Sequence, residues 1–127
     1  MGLAIAVVEV GHGGRRVSLR GRLDTETAPL LDERLRPLLD STAVTALLFD
    51  LEGVEYLSSA GIRTLVRARK ALQARGGGVV LARVQPRVQA VLDIVKALPS
   101  VDVFADDASL DAYLERMQRR PPPGPEA

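Results

Sequence analysis

Two hydrophobic rhythms alternate along this chain, and their order leaves few folds open. Short runs of aliphatic residues are followed by longer stretches in which apolar residues recur every three to four positions. Leu3 to Val10 reads as a strand. Gly11-His12-Gly13-Gly14 follows as a turn. Arg15 to Gly21 then alternates, with Val17 and Leu19 on one side and Arg16, Ser18 and Arg20 on the other, so the first two strands form a hairpin. Asp24-Thr25-Glu26-Thr27 carries helix-start chemistry ahead of Leu30, Leu31, Leu35, Leu38 and Leu39. Pro29 suits a first helical turn, and Pro37 marks a kink or an end. Val44 to Leu51 reads as a strand buried on both faces. Ser58 and Ser59 precede a second helix carrying Ile62, Leu65, Val66 and Leu72, which Gly76-Gly77-Gly78 stops. Val79 to Val84 is the next buried strand. Pro86 opens a third helix with Val88, Val91, Leu92, Val95 and Leu98 at helical spacing. Val101 to Phe104 reads as a short edge strand. Asp106 or Asp107 then caps a last helix that sets Leu110, Tyr113, Leu114 and Met117 on one face.

The order β-β-α-β-α-β-α-β-α predicts an α/β fold: one mixed, largely parallel sheet of about five strands with about four helices, opened by an antiparallel hairpin. A chain of 127 residues is long enough for one core and too short for two. Residues 119 to 127 hold four prolines and no apolar period, so they are expected to be a disordered, dispensable tail behind a single domain over 1–118. Sites in such sheets favour the carboxyl ends of strands, which singles out Asp24 to Thr27 and Glu52 to Gly61.

Composition removes several classes of function. Lys+Arg is 17 and Asp+Glu is 16, for a net charge of +1, which argues against direct binding of nucleic acid. With no Trp, two Phe and two Tyr, a base-stacking platform is also unexpected. The absence of Cys excludes disulfides, thiolate ligands and Cys nucleophiles, and a single His removes any multi-His metal site. No cofactor is implied. The early apolar run Leu3 to Val8 is cut by Glu9, far short of a membrane-spanning helix, and the N-terminus lacks the basic and apolar regions of a signal peptide. The default expectation is a cytoplasmic protein without membrane insertion.

The sharpest local feature runs from Asp50 to Ile62: a strand ends, a short loop turns, and Ser58 and Ser59 arrive at a helix start. The helix dipole and the unpaired N–H groups there favour negative charge, so a phosphoserine is tolerated at this point. From spacing alone the plainer reading is an N-cap. Gly61 falls in the first helical turn, where a glycine costs about 1 kcal/mol against alanine, so a partner or a neighbouring backbone is expected to approach closely. Asp24, Asp50, Glu52 and Glu55 could suggest a Mg²⁺ pocket, but no adjacent acidic pair follows the first strand, and solvated loop charges are the plainer reading. Arg63, Arg67 and Lys70 share one side of the second helix, either as a solvated face or as a contact to an acidic partner. His12, in its glycine turn, is an exposed bystander. Gly76-Gly77-Gly78 lacks the Lys and hydroxyl of a phosphate loop.

Asp50 to Gly61, followed by Ile62-Arg63-Thr64-Leu65, resembles the signature of STAS domains of the anti-sigma-factor-antagonist type. That signature is a strand ending in Asp-Leu, a few residues, and then Asp-Ser-Ser-Gly-Leu or Ser-Ser-Ala-Gly-Leu. Gly21-Arg22-Leu23-Asp24 is similar to the family's Gly-Glu-Leu-Asp, and the element order agrees over about residues 3 to 118. The resemblance implies a STAS-like fold over 1–118. It also implies a regulatory protein, not an enzyme. Such a protein binds an anti-sigma factor, often a serine kinase of the histidine-kinase-like ATPase class, and so frees a sigma factor for transcription. Phosphorylation of one serine abolishes binding, and a serine phosphatase restores it. The acceptor lies two residues before the signature glycine, which implies Ser59. Asp24 falls beside it, and Asp24, Ser58, Ala60, Gly61 and Arg63 make up the implied partner-binding surface. The Ser59 hydroxyl is expected to be exposed at the helix start.

Two residues depart from the usual pattern. The acidic residue that commonly precedes the acceptor is Ser58, a competing acceptor or a cap, and the second hydroxyl is Ala60. The alternative reading is a non-phosphorylated STAS scaffold subunit of a larger assembly, such as a lipid-transport complex, with Ser59 a mere cap. An enzyme reading lacks a nucleophile–base pair, because the sole His is far along the chain from both serines.

Overall fold

The computed structural model describes residues 2–97 and 107–118. Its elements are β1 (Leu3–Val10), β2 (Gly14–Leu23), α1 (Ala28–Asp40), β3 (Ala46–Leu57), α2 (Ser59–Gln73), β4 (Gly78–Ala82), α3 (Pro86–Ala97) and α4 (Asp107–Gln118). The mixed sheet has the order β1-β2-β3-β4. β1 runs antiparallel to β2, and β2, β3 and β4 run parallel. The expected strand at Val101 to Phe104 and the proline-rich tail lie outside the described residues. α1 ends at Asp40, three residues past Pro37, as the proline's missing N–H foretells.

Because the strand order follows the chain order, the crossovers through α1 and α2 both step the same way. Crossovers of one hand then place both helices on the same face. One core results: Val17, Leu19 and Leu23 of β2 and Leu47, Phe49 and Leu51 of β3 meet Leu31 and Leu35 of α1, Ile62 and Leu65 of α2, Val88 and Val91 of α3, and Leu114 of α4.

The opposite face of the sheet is uncovered among the described residues. Val8, Arg16, Leu48 and Val80 lie side by side across all four strands, and Val8 and Val80 are 50% and 58% exposed. The expectation that the third and fourth strands are buried on both faces is therefore corrected. Their apolar runs imitate doubly covered strands, but the helices supply one cover only.

The reading of Glu52 to Gly61 as a loop is also corrected, because β3 continues to Leu57. Ser18 to Arg20 faces Asp50 to Gly53, and Gly21 to Arg22 faces Val54 to Tyr56, so β3 accommodates an extra residue at each step as a bulge. Gly53 looks like turn punctuation in the sequence. It serves instead where the strands crowd: a Cβ there would lie 3.0 Å from Arg20 Cα. No helix among the described residues is long and apolar enough to cross a membrane.

Candidate functional site

The parallel strands β2 and β3 end together, with Leu23 opposite Leu57. One residue, Ser58, then joins β3 to α2. Its backbone is extended, with φ −95° and ψ 175°. Its N–H donates to the Leu23 carbonyl at 2.9 Å, and its Oγ accepts from the Gly61 N–H at 3.3 Å. Ser58 is thus the N-cap, and Ser59 is the first helical residue. This division of labour settles which hydroxyl holds the helix end.

Ser58 and Ser59 are each 2% exposed, so the expectation of an exposed Ser59 is corrected. α4, on the far side of the sequence, reaches this helix end. Asp111 Oδ1 accepts the Ser59 N–H at 2.9 Å, which places a carboxylate on one of the unpaired amides of the α2 N-terminus. One turn beyond the buried Leu114, Gln118 grips the end of β3: its Oε1 accepts the Leu57 N–H and its Nε2 donates to the Leu57 carbonyl, both at 2.7 Å. Arg22 lies 3.8 Å from Glu115 and stacks 4.0 Å above the Tyr56 ring. Burial, helped by the charges of Glu115 and Asp111, pushes the Tyr56 phenol up to about 12. Sequence reasoning missed these α4 residues. Their signal was the i, i+3, i+7 spacing of Asp111, Leu114 and Gln118, a polar-apolar-polar stripe on one helix face.

Asp24 follows directly after Leu23, so the strand ends bring its loop beside Ser58. Its carboxylate serves that loop: Oδ1 accepts from the Glu26 and Thr27 N–H groups, each at 3.0 Å, and Oδ2 lies 3.6 Å from Arg22 Nε. Thr27 Oγ1 accepts the Asp24 N–H at 2.9 Å and donates to the Arg22 carbonyl at 2.8 Å. The helix-start chemistry read in this stretch is therefore an Asx turn leading into α1.

Ala60 is half-buried and Arg63 is exposed. Gly61 is buried. A Cβ there would lie 2.7 Å from Leu23 Cγ, 2.9 Å from the Leu23 carbonyl oxygen and 3.1 Å from Leu57 Cδ1. The close approach is made by this chain's own β2. Arg67 is exposed, as a solvated face requires, but its guanidinium is also engaged. It braces α2 against α1, with Nη2 2.9 Å from both Asp32 oxygens, while Thr64 Oγ1 donates to the same carboxylate at 2.9 Å.

Asp50 and Glu52 lie on β3 and converge on Arg83, which follows β4. The guanidinium takes Asp50 through Nη2 and Nε and reaches Glu52 through Nη1 at 3.1 Å. The hydrogen bond from Arg83 holds the Asp50 carboxyl below its ordinary value. Among the described residues no group of three His, Cys, Asp or Glu side chains could hold a metal ion. His12 is exposed in the β1–β2 turn, at the opposite end of β2 from Leu23, so it offers no base to either serine.

The sequence profile of the STAS domain matches residues 6–109. The chain belongs to the STAS domain family. The match takes in the Asp24 loop, the β3–α2 junction and the start of α4. The anti-sigma-B factor antagonist of Bacillus subtilis (strain 168) is 30% identical over 90 residues, which is 71% of this chain and 81% of that protein. The unphosphorylated anti-sigma factor antagonist SpoIIAA is similar to this STAS domain with a TM-score of 0.67 at 20% identity, over 73% of this chain and 81% of that one. Phosphorylated SpoIIAA from Bacillus gives 0.63 at 20% identity, over 72% and 82% of the two chains. The fold is thus that of regulatory proteins named as anti-sigma factor antagonists.

Proposed function

We propose that this STAS domain is an anti-sigma factor antagonist. It binds an anti-sigma factor that is also a serine kinase, and phosphorylation of Ser59 switches it off. The observation that carries the reading is the position of Ser59. The signature serine is the first residue of α2, where the helix end already accepts a carboxylate on its amide. A phosphate adds a charge of about −1.5 to −2. The helix N-terminus favours such a charge by about 0.3–1 kcal/mol, so the fold survives it. A partner packed against this helix end would have to bury that added charge, and an unpaired buried charge costs about 3–5 kcal/mol.

The chain supplies only the hydroxyl. Ser59 Oγ attacks the γ-phosphorus of ATP held by the kinase, the new O–P bond forms as the bond to the bridging oxygen breaks, ADP leaves, and the hydroxyl proton passes to a base on the kinase. A serine phosphatase hydrolyses the same O–P bond. Dependence on ATP implies a cytoplasmic protein. The test is incubation with the cognate kinase and ATP: Ser59→Ala should bind and resist modification, and Ser59→Asp should bind at least about a hundredfold more weakly, equivalent to about 3 kcal/mol.

One observation favours a second reading. Ser59 is buried and its amide is engaged by α4, as suits a purely structural serine in a non-phosphorylated scaffold subunit. Absence of ATP-dependent modification by any native partner would establish that reading.

A further inference from the structure

α4 reaches Ser59 from 52 residues further along the chain and engages its backbone N–H. We propose that α4 is a latch on the switch, held by Asp111 at the Ser59 amide and Gln118 at Leu57, and that a phosphate on Ser59 opens it. The proposal rests on reading Ser59 as the phosphoacceptor.

Three features of the geometry lead there. Ser59 is 2% exposed, and phosphoryl transfer requires its hydroxyl to stand in line with a phosphorus atom in another protein's active site, so the docked latch blocks the reaction. Among the described side chains, α4 is attached by Asp111 at the Ser59 N–H, the Gln118 pair at Leu57, Glu115 facing Arg22, and the buried Leu114. Contacts of these kinds can open locally while the sheet and its core stay folded. Finally, the modification repels the latch. A phosphate on Ser59 stands at the same helix end as the Asp111 carboxylate, and its own oxygens can accept the α2 amides. Two anions then share one set of donors, and Asp111 is the one not covalently attached to the serine. α4 is therefore the bistable element, and charge at Ser59 is its bias.

The experiment is amide hydrogen exchange on the full chain, comparing wild type, Ser59→Asp, Asp111→Asn and the double variant. In Ser59→Asp the amides of α4, Leu57 and residue 59 should exchange at least about tenfold faster, while those of β2 and α1 keep their protection. The Asp111→Asn change keeps an oxygen acceptor for the residue-59 amide and removes the charge, so the double variant should return towards wild-type protection. Unchanged exchange of α4 in Ser59→Asp, or equal opening in the single and double variants, overturns the latch. Gln118→Ala leaves the serine untouched and should raise the rate of Ser59 phosphorylation by the cognate kinase several-fold. An open α4 with an unchanged phosphorylation rate also overturns the latch. Phosphate on no form of the chain overturns the phosphoacceptor reading instead, while the exchange rates of α4 still decide whether charge at residue 59 opens the helix.

Discussion

Replacing Gly61 with alanine sets two effects of opposite sign against each other. Glycine inside a helix is worse than alanine by about 1 kcal/mol, so propensity alone predicts a stabilised variant. The structure predicts the reverse. The new Cβ would stand 2.7 Å from Leu23 Cγ and 2.9 Å from the Leu23 carbonyl oxygen. Leu23 is fully buried and its carbonyl already accepts the Ser58 N–H at 2.9 Å, so neither atom can yield without disturbing β2 or the helix cap. Overpacking of this kind costs about 1–3 kcal/mol, and pulling α2 away loses a hydrogen bond worth about 1 kcal/mol. After the propensity gain, a net loss of about 1–3 kcal/mol remains, which for a domain of this size lowers Tm by about 4–12 °C. Thermal denaturation followed by circular dichroism reads the shift, and a urea titration with unchanged slope confirms a pure stability effect. A Gly61→Ala protein as stable as wild type, or more so, refutes the packing argument.

Ser58→Ala removes the N-cap and should cost about 1 kcal/mol in urea denaturation, yet leave Ser59 open to phosphorylation. In a Tyr113→Phe background, where Tyr56 is the one remaining tyrosine, the phenolate absorbance should appear with a midpoint of about 12. A folded-state value raised above the unfolded one gives a stabilisation that is complete below about pH 10 and lost as pH rises through about 12, so a midpoint near 10 would show that the phenol is not buried beside Glu115 and Asp111. Arg83 holds Asp50 below its ordinary value of 3.8, a contribution present above the unfolded value and lost as pH falls through the lower folded one. Arg83→Ala should therefore weaken the acid dependence of the urea midpoint below about pH 4, and an unaltered dependence would show that the pair does not contribute to acid stability.

How far the sequence foretells this molecule depends on how local each signal is. The β1–β2 hairpin and the faces of α1 and α2 follow from alternation and helical spacing within single segments, and the structure has them. The pairing of the Asp24 loop with the β3–α2 junction follows from motif and strand order together. The length of β3 was hidden because Gly53 gives the same local signal in a turn as in a bulge. One-sided burial was hidden because Leu47-Leu48 and Val79-Val80-Leu81 are apolar throughout. Only the strand order β1-β2-β3-β4 shows that Leu48 and Val80 face an open sheet surface. The burial of Ser59 was the least legible feature. The carboxylate on its N–H lies 52 residues away, on a helix whose apolar spacing is a stronger local signal than the polar Asp111 and Gln118 beside it.

The central claim is that charge on Ser59 controls partner binding, and site-resolved phosphate mapping coupled to a binding measurement tests it most directly. The chain is incubated with its cognate kinase and ATP, the modified residue is located by mass spectrometry, and the affinity of the stoichiometrically phosphorylated form is compared with that of the unmodified one. Phosphate on Ser59 and an affinity reduced by at least about a hundredfold are the expected results. Phosphate on Ser58, or undiminished binding by the Ser59-phosphorylated form, contradicts the claim.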